Sequence, residues 1–90
     1  MVKKYNRILN MSNQKINVLR DELVLVANVV GDHELVAEEQ GISTTYLRQI
    51  RQGKNAKLDT KENRELLDNL ITIYRRIGKE KIEELKEAVK

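Results

Sequence analysis

No proline occurs in this 90-residue chain, and only 4 glycines do. Sandwiches and barrels need frequent tight turns, which those two residues supply, so their scarcity argues against both folds. The remaining composition is rich in Leu, Ile, Val, Lys and Glu, which favours helices. Ninety residues make one domain, and 40% hydrophobic residues provide enough apolar material for one small core. The predicted fold class is all-α, a compact bundle of four to five helices.

The same composition removes several function classes. Without cysteine there is no disulfide scaffold, thiol nucleophile or Cys-ligated zinc. A single histidine, His33, argues against a His-rich metal site or a Ser-His-Asp triad. No cofactor, metal or small-molecule ligand is implied. No apolar run approaches the roughly 20 residues that span a bilayer. The segment Met1 to Asn10 carries charge but no signal-peptide apolar core. The pairs Glu38-Glu39 and Glu83-Glu84 fall on predicted exposed faces with no apolar pocket implied around them. A small intracellular protein that binds rather than catalyses is the expectation.

Periodicity divides the chain. Residues 1–12 read as a basic arm, partly ordered, with Lys3, Lys4 and Arg7. Ile16, Leu19, Leu23, Val26, Ala27 and Val30 step by three or four and predict a helix over 13–30. Arg20, Asp21 and Glu22 are expected on its opposite face. Ser12 or Asn13 can cap this helix, and Gly31 ends it. Asp32 is a good N-cap for a second helix over 33–40, which Gly41 stops. Ser43 is a further N-cap, for a third helix over 44–52 that ends at Gly53. Residues 53–60 have no period and read as a loop. Asp59 and Glu62, close to a capping box, start a fourth helix near Thr60. Its apolar face is Leu66, Leu67, Leu70, Ile73, Tyr74 and Ile77. Gly78 interrupts the pattern, so residues 78–90 read as a separate short helix or as the far side of a bend. The domain reading is an arm over 1–12, a domain over 13–77 and a C-terminal helix over 78–90.

His33 to Gln52 has the spacing of a helix-turn-helix. Ala37 is small where the second helix crosses the first. Gly41 tolerates positive φ in the turn. Ile42 is apolar after the turn, and Leu47 and Ile50 face inward one turn apart. Gln40 departs from the pattern, because that position is more often apolar. Removing Leu47 and Ile50 leaves Ser43, Thr44, Thr45, Arg48, Gln49, Arg51 and Gln52 as candidates for exposure. Arg can bond guanine bidentately, Gln can bond adenine, and Thr offers a hydroxyl and a methyl.

The spacing Ala37…Gly41-Ile42…Leu47…Ile50 resembles the lambda-repressor/Cro-like helix-turn-helix regulators. The motif is covered closely, and the order of helices over 13–77 more loosely. The resemblance implies a DNA-binding transcriptional regulator of phage or plasmid repressor type, cytoplasmic and bacterial or phage-encoded. It assigns base contacts to Thr44, Thr45 and Arg48, to which residue chemistry adds Gln49. It places His33 and Gln52 at positions that meet phosphate, and Asn55 in a loop that meets the DNA backbone, where it joins the phosphate set, or a base edge. Ser43, Arg51, Lys54 and Lys57 join the phosphate set by residue type and charge.

Charge distribution points the same way. The net charge is only +3. From Gln40 to Leu58 there are four basic residues and no acidic one, whereas Asp32 to Glu39 holds four acidic residues and no Lys or Arg. Phosphate contacts supply much of DNA affinity, so the local balance matters more than the total. Glu34 and Glu38 must then face away from the phosphates.

Beyond Gly78, Ile82, Leu85 and Val89 make a narrow stripe with Lys and Glu on both sides, which suits a helix-helix seam or packing back on its own domain. A homodimer through that seam would display two recognition helices about 34 Å apart, one DNA turn. The partners expected are double-stranded DNA and a second copy. Alternatives are a helical adaptor or antagonist that pairs through 79–90, and a DNA-binding phage accessory protein of terminase or recombination type.

Overall fold

The structure, a computed structural model, describes the backbone of residues 2–89 and the side chains of residues 15–88. It is all-helical in that range, with four helices: α1 (Val2–Val30), α2 (His33–Gln40), α3 (Thr44–Arg51) and α4 (Lys61–Val89). Helix α1 starts at Val2, where the apolar period placed a start near Asn13. The side chains of Lys3, Lys4 and Arg7 lie outside the described residues.

The two long helices form the frame. Glu22 of α1 pairs with Arg75 of α4, and further along Val30 meets Gly78 and Lys81. Contacts thus advance in the same sense along both, so α1 and α4 run parallel, and α2, α3 and the 52–60 segment make the return crossing. Ile16, Leu23 and Ala27 of α1 and Leu67, Leu70, Ile71, Tyr74 and Ile77 of α4 are buried with Val36, Ala37, Leu47 and Ile50 of the short helices. Leu19, Val26, Val30, Leu66 and Ile73 pack at the edges of that core.

Arg20 corrects the sequence reading. It sits four residues after Ile16 and three before Leu23, which places it on the buried stripe of α1 rather than the solvent face. Only 9% of it is exposed. Its Nε donates to Ile50 O at 3.0 Å, and its terminal nitrogens donate to Asn17 Oδ1 at 3.2 Å, to Asn55 O at 3.3 Å and to Ala56 O. Burial lowers its pKa from the usual guanidinium value, against the pull of Asp21. The Ile50 carbonyl belongs to the last turn of α3, the negative end of that helix's dipole, which favours a cation there.

Gly78 is a second correction. Helix α4 runs through it without a break. Glycine at this position costs about 1 kcal/mol of helix propensity relative to alanine. What it gives is proximity, because a Cβ on Gly78 would fall 2.8 Å from Val30 Cγ2. The end of α1 therefore closes onto α4 at a point that only glycine leaves open.

Two caps also differ from the expectation. Asp32 has φ 50° and makes no side-chain cap to α2. Its carboxylate instead binds Lys81 Nζ at 2.9 Å. At the start of α4 the capping oxygen is Thr60 Oγ1, which accepts from Asn63 N at 3.1 Å. Asp59 forms an ion pair with Arg64 at 3.1 Å.

Candidate nucleic-acid interface

The connection between α2 and α3 is set by backbone geometry. Gly41 is left-handed, with φ 79°. Its N–H donates to Glu38 O at 3.1 Å, and Ile42 N–H donates to Ala37 O at 3.0 Å. This double closure ends α2 in the Schellman manner and turns the chain sharply. Ile42 packs against the core at the corner. Ser43 is extended, at φ −77° and ψ 156°, and its side chain accepts from Tyr46 N at 3.0 Å, the cap expected of it.

Helix α3 is anchored by Leu47 and Ile50, both fully buried. At its far end Gly53, with φ 77°, repeats the same closure: Gly53 N–H donates to Ile50 O at 3.1 Å and Lys54 N–H to Gln49 O at 2.8 Å. Arg20 holds Ile50 O, Asn55 O and Ala56 O together, so the segment after α3 is fastened to α1. Both ends of α3 are thus fixed, and its outer face has a defined orientation.

That face carries Thr44, Thr45, Arg48 and Gln52, all exposed, with exposed Lys54 and Lys57 beyond it. Thr45, Arg48 and Gln52 are spaced three and four apart and share one side of α3. Ser43 is exposed, although one oxygen lone pair is taken by its cap. Gln49 is half-buried, and its Oε1 accepts from Asn55 Nδ2 at 2.6 Å. Gln49 and Asn55, assigned to base and phosphate respectively, are therefore bonded to each other.

His33 and Arg51 stand apart from the exposed set. His33 Nδ1 lies 2.7 Å from Tyr74 Oη, and the two rings meet edge-on at 72°. Burial lowers the His33 pKa, Arg51 adds to the lowering, and Asp32 opposes it. Burial raises the Tyr74 pKa. Both shifts favour the neutral forms of the pair, which share this hydrogen bond. Arg51 is half-buried and its Nε has no hydrogen-bond partner among the described residues. His33 also borders a shallow cleft with Asp32, Glu34 and Glu38, a negative setting for a phosphate.

The ion pairs divide the charges. Glu39 pairs with Arg76, and Asp32 with Lys81. Arg75 pairs with Glu22, and Arg64 with Asp59. Among the described residues, none of Arg48, Arg51, Lys54 or Lys57 takes part in an ion pair. Glu39 of α2 and Asp32 just before it are thus answered by α4, while Glu34 and Glu38 take part in no ion pair among the described residues and are exposed, as the sequence argument required.

Two residues were missed from sequence. Tyr46 is 36% exposed in the first turn of α3 and flanks the outward face. Its position one residue before buried Leu47 was a usable signal. Arg20, which fixes the segment after α3, was signalled by its place in the apolar stripe of α1. Among the described residues there is no group of His, Asp and Glu able to hold a metal ion. No helix there is long and apolar enough to cross a membrane. Neither a family model, nor a curated protein, nor a solved structure matches the chain.

Proposed function

We propose that this chain is a sequence-specific double-stranded DNA-binding regulator of the lambda-repressor/Cro-like helix-turn-helix type, which places α3 in the major groove. The observation that carries the reading is the exposed face of α3 and the segment after it, where three exposed cations, Arg48, Lys54 and Lys57, have no acidic partner among the described residues. A cationic surface left uncompensated beside compensated neighbours favours a polyanion. Short side chains, Thr44 and Thr45, at the start of α3 permit close approach to base edges, and Arg48 one turn later can reach guanine. Lys54 and Lys57 beyond the helix suit phosphate.

Selection of bound sequences from a random duplex pool, followed by gel-shift titration, tests the proposal. Arg48→Ala should cost about 1–3 kcal/mol on the selected site and relax the preference at one base position. Lys54→Ala should weaken binding alike on all sequences and flatten the salt dependence by about one counterion. A two-fold symmetric consensus would report two copies on the site. Absence of measurable affinity for any duplex at low salt refutes the reading.

A further inference from the structure

Beyond Gly78, α4 continues past the end of α1, and a groove of about 680 Å³ opens between the two helices. Its apolar walls come from Leu25 and Val29 of α1 and from Ile82 and Leu85 of α4. These are 67%, 86%, 56% and 66% exposed, so nothing among the described residues covers them. Four large apolar side chains open to water on one contiguous surface mark a contact site rather than ordinary surface scatter.

The charges along the groove are sorted. On α4, the positions beside the stripe of Ile82 and Leu85 are Arg75, Lys79, Lys81 and Lys86. Glu80, Glu84 and Glu87 fall on the far side of the helix, and Glu83 is the one carboxylate at the groove's margin among the described residues. This bears directly on what can bind. Two copies of this helix laid together along the stripe, parallel or antiparallel, would bring lysines opposite lysines. Like charges at such flanking positions suppress pairing.

We infer that the groove between α1 and α4 is a docking site for an amphipathic helix of another protein, one whose apolar stripe is flanked by aspartate and glutamate. The apolar stripe of such a helix would fill the space between Leu25, Val29, Ile82 and Leu85. Its carboxylates would meet Lys79 and Lys86, neither of which has an ion-pair partner among the described residues. This is the helix-in-groove mode of recognition, with the charge pattern setting partner choice. It uses no residue of α3 and does not depend on the DNA-binding proposal.

The test uses the full chain and two synthetic helical peptides of three heptads. Both carry leucine along one stripe, one with glutamate at the flanking positions and the other with lysine there. Fluorescence anisotropy should show the glutamate peptide binding at least about tenfold more tightly, and losing that advantage at high salt. The double variant Lys79→Glu with Lys86→Glu should reverse the preference. Leu85→Asp, at an exposed position, should abolish binding of both peptides while circular dichroism stays unchanged. Arg48→Ala should leave peptide binding as it was. Equal binding of the two peptides, or binding of neither, overturns the proposal. A dimer of the chain alone in light scattering, lost in Leu85→Asp, also overturns it and assigns the groove to a second copy.

Discussion

Arg20 is the residue whose replacement tests the internal logic of the fold most directly. Methionine at that position keeps most of the side-chain volume and removes the guanidinium with its hydrogen bonds. The strong ones run to Ile50 O at 3.0 Å and to Ala56 O. Those to Asn17 Oδ1 and Asn55 O, at 3.2 and 3.3 Å, are longer. Hydrogen bonds to a charged group are worth about 1.5–3 kcal/mol each. Against them stands the desolvation of a guanidinium that is 9% exposed, a cost the variant avoids. The net loss expected for Arg20→Met is about 2–4 kcal/mol. A chain of this size is stable by only about 5–13 kcal/mol, so the loss is a large fraction of the whole. Arg20→Lys keeps the charge but has a single ammonium where three carbonyls need a planar fork, and should lose about 1–2 kcal/mol. Urea titration should show a lower midpoint with an unchanged slope. Amide exchange should quicken first at Gly53 and Lys54, whose N–H groups close the end of α3 that Arg20 holds. A midpoint for Arg20→Met within about 0.5 kcal/mol of the parent, the range of an indifferent surface change, refutes the reasoning.

Gly78→Ala should destabilise the protein by about 1 kcal/mol in thermal melts, because the rigid Val30 side chain must move by more than the roughly 1 kcal/mol of helix propensity returns. Adding Val30→Ala should turn the same change favourable, and a stabilised single variant would show that α1 does not close onto α4 there. For His33 the sign follows from its lowered pKa in the folded state. The unfolded chain takes up a proton near pH 6.5 while the folded chain resists it, so stability is full above that pH. It then falls as the pH drops from 6.5 toward the folded value. Urea midpoints at pH 7.5 and 5.5 should differ in the parent and converge in His33→Phe, and an unchanged difference would place the proton elsewhere.

How much of this was legible in the sequence depended on whether the signal was local. The α2–α3 turn was legible because each requirement lies within a few residues: Ala37 at the crossing, Gly41 at positive φ, Ser43 as cap, and Leu47 and Ile50 one turn apart. Gly53 as the stop after α3 is equally local. Arg20 and Gly78 were misread for the opposite reason. A charged residue in an apolar stripe reads as solvent-facing until the carbonyls of Ile50, Asn55 and Ala56, distant along the chain, are brought to it. A glycine in a helical run reads as a break until Val30 is seen to need the space. Asp32 is left-handed at φ 50° rather than extended, and its carboxylate goes to Lys81, far along the chain. Each of these three residues has a partner distant in sequence, which periodicity can place on a face but cannot name.

The same distinction accounts for the charge pattern. Along the chain, four acidic residues of 32–39 adjoin four basic residues of 40–58, and simple proximity would have them cancel. In the fold two of the acidic residues, Glu39 and Asp32, pair instead with Arg76 and Lys81 of α4, and none of the four pairs with the basic residues of 40–58 among the described residues. Exposed ion pairs of this kind contribute little to stability, with a median of about 0–1 kcal/mol. Their larger effect is to settle where compensation occurs. By pairing Glu39 and Asp32 from the α4 side, they leave Arg48, Lys54 and Lys57 as an exposed cationic surface. Lys79 and Lys86, further along α4, meet no carboxylate of α2 and remain at the groove. The basic residues after α3 and those at the groove thus form two separate surfaces. One carries short polar side chains suited to base edges, and the other carries an apolar stripe suited to a helix. That difference in the neutral residues, more than the charge itself, is what separates the two partners proposed.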